Sequence, residues 1–429
     1  MISPTYTRCI VRNAILWAAF IATASSLSAG RTYQVLYSFG TNGGSLDGWF
    51  PEAGLVSDGA GNLYGTTVIG GTNVGGNSND GCIDGCGTVF ELSSLGNGQW
   101  TETVLYSFCT TLNTTNCPDG AGPESSLIAD KNGNLYGTTE SGGVNGGGTA
   151  FELSPSGAGK PWVETVLYTF RSNRFDGTYP TGGLVFDKSG NLYGTTTNGG
   201  IFSHGTVFEL QRVSGGWVEN ILYNFAGPPS DGENPSSGVV FDSSGNLYGA
   251  TRYGGEGCEE GCGTVFELSP SSDGTWTETI LHGFSGRQVY PWSVSLAGGS
   301  LYGTYLSGGG KSSGGVFRLT PRQGVWSETA FMFDGADGAY PESGVLLDEK
   351  SKTLYSTTGT GGLQDDGTIF QIKGSSEEVL YSFCGEPNCE DGVYPATYGS
   401  LIEDSEGNLY GVTGGGGTFN QGVVFELTP

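Results

Sequence analysis

The tripeptide Leu-Tyr-Gly, or a near variant, recurs with its tyrosine at 64, 136, 193, 248, 302, 355 and 410. The successive gaps are 72, 57, 55, 54, 53 and 55 residues. A period of this length means one supersecondary unit copied along the chain, and that constrains the fold more than any other feature. The clearest copy runs over residues 166–225. It holds four apolar runs: Gly183-Leu184-Val185-Phe186-Asp187, Asn191-Leu192-Tyr193-Gly194-Thr195-Thr196, Gly205-Thr206-Val207-Phe208-Glu209-Leu210, and Trp217 through Phe225. Each is rich in Val, Leu, Phe, Tyr and Thr and is bounded by Gly, Asn, Asp or Ser, which is the signature of a strand. Asp187-Lys188-Ser189-Gly190-Asn191 joins the first two runs. This is an Asx-type turn with glycine where positive φ is required, hence a tight hairpin. Four antiparallel strands per unit follow, and no helical period competes with them.

The ends of the array carry further information. The chain after residue 30 opens with a fourth strand, Thr32 to Phe39, that has no first three strands before it. It closes with first, second and third strands near 400–403, 408–413 and 422–427, and no fourth follows. The surplus strand at one end completes the incomplete unit at the other, as a closed ring of blades requires; an open solenoid needs capping repeats instead. The reading is all-β: a seven-bladed β-propeller over residues 30–429, with second strands near 62–67, 134–139, 191–196, 246–251, 300–305, 353–358 and 408–413.

Gly133-Asn134-Leu135-Tyr136-Gly137-Thr138-Thr139 followed by Gly148-Thr149-Ala150-Phe151-Glu152-Leu153 resembles the signature of the bacterial tandem-repeat family named GloVer (Gloeobacter and Verrucomicrobia): G-x-L-Y-G-T-T, then G-G, then G-T-V-F-x-L. The resemblance covers essentially the whole mature chain. Unit five departs with Leu296-Ala297-Gly298-Gly299-Ser300 in the turn, and unit six reads Lys352-Thr353-Leu354-Tyr355-Ser356. The resemblance implies a secreted or surface protein and no particular chemistry.

Residues 1–29 read as a secretory signal peptide, with Arg8 and Arg12 ahead of the apolar run Ala14–Ala24 and small residues at Ser26-Leu27-Ser28-Ala29. The run is too short for a membrane span. The chain ends at Pro429 without an apolar tail, so the expectation is a soluble, secreted or periplasmic monomer. Formal net charge is −26. Such a surface repels phosphate backbones and anionic membranes, which excludes nucleic acid as a partner. Cys82/Cys86, Cys109/Cys117, Cys258/Cys262 and Cys384/Cys389 form four local pairs. After a signal peptide these read as disulfides stapling loops, in preference to a metal site.

In a propeller, the loops from fourth to first strand and from second to third strand share one face. All four cysteine pairs and the long insertion 68–87 fall there, so this long-loop face is the candidate binding surface. Asp47, Asp119, Asp176, Asp231, Asp337 and Asp391, each followed by glycine, occupy equivalent loops of six units, and unit five has Ser285-Gly286. One reading is a carboxylate ring near the channel holding Ca²⁺ or a basic group. The other is a turn dipeptide repeated with its loop, which repetition within one chain favours. Glu102, Glu164, Glu219, Glu278 and Glu328 on the fourth strands read as charges protecting outer edges, and Trp100, Trp162, Trp217, Trp276 and Trp326 as packing between blades. A single ligand site must break the symmetry. The residues that do so in long-face loops are Arg171, Arg174, His204, Arg252, Tyr253, Arg287, Tyr290, Trp292 and Lys311. Two functions follow as expectations: a binding or scaffold module for an extracellular glycan or protein, or a polysaccharide hydrolase or lyase using loop carboxylates. A close carboxylate pair in a depression, one member with a raised pKa, distinguishes the second.

Overall fold

The structure, a computed structural model, describes residues 30–429 apart from 74–81, 83, 111–116, 158, 257–260, 286–288, 309–310 and 396–397. Contacts separate Met1–Arg31 from a body of Thr32–Pro429. Seven antiparallel sheets of four principal strands make up that body. The third blade shows the pattern, with strands Val185–Phe186, Leu192–Thr196, Thr206–Val213 and Gly216–Asn224 hydrogen-bonded in that order. The seventh takes Ile402–Glu403, Leu409–Gly415 and Val423–Thr428 from one end of the chain and Thr32–Ser38 from the other. Thr32 pairs with Thr428 and Ser38 with Val423, which closes the ring.

The first strand of each blade lies innermost. The residues just ahead of it meet around the axis: an ideal Cβ on Gly399 would fall 1.8 Å from Gly54 N, one on Gly238 2.2 Å from Gly183 O, and one on Gly54 2.9 Å from Ser126 Oγ. Only glycine or a small residue lets seven backbones approach so closely. They enclose a channel of about 220 Å³ lined by Ser126, Gly183, Gly238, Ser293, Gly344 and Ser400 among others.

The recurring phrase has a packing cause. Its glycine pairs across the ladder with the phenylalanine of the third strand, as Gly194 with Phe208 and Gly411 with Phe425. That ring lies over the glycine, where an ideal Cβ on Gly194 would stand 2.7 Å from Phe208 Cζ. Each such ring also receives, edge-on, the phenylalanine ending the fourth strand of the preceding blade, at 5.2 Å for Phe39 and Phe90 and 5.0 Å for Phe170 and Phe208. Edge-to-face contact adds to the area these rings bury, and all fourteen repeat the arrangement around the ring. The tryptophans also bridge blades, Trp162 against Tyr64, Trp276 against Tyr193 and Trp326 against Tyr248.

Six fourth strands carry a β-bulge whose extra residue is the leucine before the tyrosine position: Leu36, Leu105, Leu167, Leu222, Leu281 and Leu380. A bulge lets adjacent residues turn to the same face, so the leucine enters the inter-blade core. The fifth blade has one residue fewer between Glu328 and Phe333 and no bulge.

Candidate functional site

The plain face carries only turns. In the third blade Asp187 Oδ1 accepts from Ser189 N and Asn191 N at 2.8 Å each, and Oδ2 accepts from Asn191 Nδ2 at 2.8 Å. The same arrangement holds Asp58, Asp130, Asp242 and Asp404. Backbone and side-chain donors thus lock the hairpin, and against the opposing effect of burial they lower the carboxyls of Asp58, Asp130, Asp242 and Asp404 from their usual range.

The repeated aspartates do not ring the channel. Asp47, Asp119, Asp176, Asp231 and Asp391 are buried between blades, and Asp337 is half-buried in the equivalent loop. In five interfaces the fourth-strand tyrosine donates to the aspartate, from Tyr37 to Asp47 at 2.6 Å and from Tyr106 to Asp119 at 2.8 Å, and likewise from Tyr168, Tyr223 and Tyr381. A loop amide donates to the same carboxylate, as Thr110 N does to Asp119 at 3.0 Å and Ala226 N to Asp231 at 2.7 Å. They are acceptors that fold their own loops. Among the described residues, the clusters of three or more side chains with ligand atoms within 4.8 Å of one another are Cys82/Cys86/Cys117 and Asp366/Cys384/Cys389. Neither contains any of the six aspartates.

The fourth-strand glutamates also differ from the edge-protection reading. Glu102 is buried, and it, Glu164, Glu219, Glu278 and Glu377 each face the aspartate of the preceding loop. Burial, then repulsion from Asp47, raises Glu102 to about 8; burial and Asp176 do the same to Glu219. Glu164, Glu278 and Glu377 rise to about 7 by burial and by Asp119, Asp231 and Asp337. Two facing carboxyls cannot both ionise at low cost, so the pair holds a proton. Between the fourth and fifth blades the pattern breaks: His282 of the fourth blade replaces the tyrosine, and its Nε2 lies 3.2 Å from Oε2 of Glu328 of the fifth.

Disulfides join Cys82 to Cys86, Cys109 to Cys117 and Cys384 to Cys389. Cys258, the proposed partner of Cys262, lies outside the described residues, as does Arg287. Counting back four residues from the proline of each loop reaches the aspartate in six units and Arg287 in unit five, so Arg287, more than Ser285-Gly286, stands in its place.

Of the symmetry-breaking residues, four come together. The Arg252 guanidinium lies 5.6 Å from the Tyr253 ring, 5.8 Å from Tyr290 and 5.5 Å from Trp292. Such stacking holds the cation by its aromatic faces, within reach of the Glu342 carboxyl's charge. Trp292 reaches Tyr398 of the seventh blade at 5.5 Å, and both line the channel. The others stand apart. His204 Nδ1 pairs with Glu233 at 3.0 Å, Arg174 lies over Phe175 at 5.0 Å, the Arg171 amide donates to Asp176, and Lys311 pairs with Asp334 at 3.2 Å.

Four glutamates complete the mouth of the channel, and the sequence reading passed over them. Glu52, Glu124 and Glu342 follow the loop proline, where the other units have Thr181, Ser236, Trp292 and Ala396; Glu140 follows the second strand, where the fourth unit has Arg252. Two repeat positions thus generate the site, and aligning the copies column by column would have exposed them. Each carboxyl keeps some accessible surface yet is largely surrounded by protein, as at the bottom of a depression. Burial, then Glu342 and Glu140, raises Glu52 to about 7. Burial, Glu140, Glu52 and a hydrogen bond to Glu140 raise Glu124 to about 9. Burial raises Glu140 as well, with the contact to Glu124 acting in the opposite sense, so the two carboxyls titrate as a pair. Glu342 is raised by burial and partly relieved by Arg252. Tyr398, whose amide donates to Glu52 O at 3.0 Å, is raised by burial and by all four acids.

Fold and mouth together define a seven-bladed propeller with an acidic, aromatic-walled axial depression on its long-loop face. The chain belongs to the Gloeobacter/Verrucomicrobia repeat family, whose model matches residues 23–259 and 256–429. No curated protein matches the sequence. Solved structures with a similar fold include a puromycin-hydrolyzing peptidase of Mycobacterium tuberculosis (TM-score 0.50, 12% identity, 85% of this chain and 49% of that one). A putative 6-phosphogluconolactonase of Bacteroides fragilis NCTC 9343 also aligns (0.49, 13%, 77% and 82%). So does NanB sialidase of Streptococcus pneumoniae (0.41, 12%, 92% and 70%). Identities this low speak to the fold alone.

Proposed function

We propose that the protein is an extracellular binding module that holds a glycan at the axial mouth. The observation that carries this reading is the convergence of Arg252, clamped by Tyr253, Tyr290 and Trp292, with Tyr398 and Glu52, Glu124, Glu140 and Glu342. Aromatic faces beside directional polar groups suit the alternating CH and hydroxyl surfaces of a sugar. The signal-like segment and the disulfides support a secreted or periplasmic monomer. The acidic surface argues against nucleic acid and against anionic membranes. Glycan-array binding tests the reading: Glu140→Gln and Arg252→Ala should each weaken capture about tenfold or more. Unchanged capture by both would remove the mouth as the site.

One observation favours hydrolysis as a second reading: Glu124 and Glu140 form an interacting carboxyl pair, in which burial and Glu140 raise Glu124 to about 9. A protonated acid beside an ionised one is the division of labour that glycoside cleavage uses. Release of reducing ends by the wild type, lost in Glu124→Gln, would establish it. Glycan capture without such release leaves the binding reading alone.

A further inference from the structure

A second set of residues surrounds the mouth. The residue preceding the loop proline is Phe50, Gly122, Tyr179, Asn234, Tyr290, Tyr340 and Tyr394 in the seven loops. All seven have positive φ, from 52° at Tyr290 to 65° at Gly122. Glycine and asparagine accept this conformation readily, and bulky aromatic residues do not. The backbone imposes it. The Tyr340 amide donates to Ser313 O of the preceding blade at 2.9 Å, and its carbonyl accepts from Gly359 N at 2.9 Å. Tyr179 is held in the same way by Gly147 O at 3.1 Å and Thr197 N at 3.0 Å. Five of seven copies therefore keep an aromatic side chain at a position where glycine would remove the strain.

Core packing does not account for this, because Tyr179, Tyr340 and Tyr394 are 42%, 46% and 48% exposed. Strain retained at exposed aromatic residues points to a role outside folding. Each of these residues stands two positions before a mouth residue: Phe50 before Glu52, Tyr179 before Thr181, Tyr290 before Trp292 and Tyr340 before Glu342. They form a rim of separate rings around a polar, acidic centre, interrupted by Gly122 and Asn234. Separate rings match the spaced faces of linked sugars.

We infer that this aromatic collar is the gripping surface for a polysaccharide chain crossing the long-loop face, of neutral or amino-sugar type. The formal net charge of −26 repels uronate or sulfated chains. The inference rests on the glycan reading above and adds where the chain is gripped and which class it belongs to.

The test uses the full mature protein on immobilised hexasaccharides of glucose, glucosamine and galacturonate. The variant is Tyr179→Gly/Tyr340→Gly/Tyr394→Gly, with Tyr→Asn at the same three positions as the second variant, since Gly122 and Asn234 already occupy this position natively. The expected result is capture of the glucose or glucosamine chain by the wild type and not of galacturonate. Both variants should lose about tenfold or more in affinity with no fall in melting temperature. Capture undiminished in the variants overturns the collar and leaves the axial site standing. A lowered melting temperature with intact affinity assigns the rings to structure and overturns it equally. A wild type that captures none of the three chains, as for a surface serving a protein, overturns both readings.

Discussion

At the scale of single residues, the repeat phrase is a packing rule. Tyr193 Oη donates to Glu209 Oε1 across the ladder at 2.8 Å, and its ring meets Trp276 of the neighbouring blade at 6.3 Å. Gly194 makes room for Phe208. Gly194→Ala places a methyl group against that ring and should cost about 1–3 kcal/mol, read as a lower urea midpoint with an unchanged slope. In the sixth blade Ser356 stands at this position and its hydroxyl donates to Gly344 O at 2.9 Å, a local accommodation that the third blade lacks. The strands, their order and the ring closure were legible because pattern and turn chemistry repeat seven times. The mouth was less legible because its residues were judged one at a time. Arg252 and Trp292 stood out as unusual types, whereas Glu52, Glu124, Glu140 and Glu342 were lost among many surface acids, and only their place in the repeat marks them.

At the scale of elements, the contact between neighbouring blades carries a titration. Asp119 is buried, accepts from Tyr106 and from Thr110 N and Oγ1, and faces Glu164 of the next fourth strand; Glu102, Glu219 and Glu278 face buried, tyrosine-bonded aspartates in the same way, and Glu377 faces the half-buried Asp337. Each of these glutamates has a folded pKa raised to about 7 or 8, above its unfolded value of 4.5. A raised carboxyl contributes its full stability below the unfolded value and loses it as pH climbs through the folded one. The plain-face aspartates at 58, 130, 242 and 404 act in the opposite sense, because their pKa is lowered and their contribution disappears as pH falls below the usual aspartate range. The melting temperature should therefore peak at mildly acidic pH, near 5, and decline steadily from there to pH 9. Glu164→Gln, which keeps shape and removes the ionisation, should raise the melting temperature at pH 8 and leave it nearly unchanged at pH 5. A flat profile between pH 5 and 9 would contradict the facing-carboxyl account. The sequence reading placed Glu102, Glu164, Glu219 and Glu278 on an exposed edge because period two in a fourth strand does not say how closely the next blade approaches; the bulge at Leu167 and its counterparts, which turns neighbouring side chains to one side, is also invisible to that period.

At the scale of the whole molecule, one joint is unlike the others. The closing strand carries Tyr33 where the other fourth strands carry glutamate. Tyr33 stacks on Tyr381 at 3.9 Å, meets Phe383 and Phe425 at 5.9 and 5.6 Å, and donates from its hydroxyl to Asp391 O at 2.5 Å. All seven joints between blades are covalently continuous through their loops, so opening one of them leaves the two blades tethered. The one non-covalent junction lies inside the seventh blade, and it depends on the ladder from Thr32–Thr428 to Ser38–Val423 and on this aromatic cluster. An unclosed array of repeats unfolds as a sum of neighbouring contacts and frays from its ends, whereas a closed ring has no free end from which to fray. Calorimetry should accordingly give the wild type one sharp transition. Tyr33→Ala removes a packed ring and a buried donor at the joint, a loss of about 3–5 kcal/mol, and should both lower and broaden that transition. Trp162→Ala, at a tethered joint, should lower it while keeping it sharp. If both variants stay equally sharp, closure is not what makes the propeller cooperative, and the tethered joints suffice.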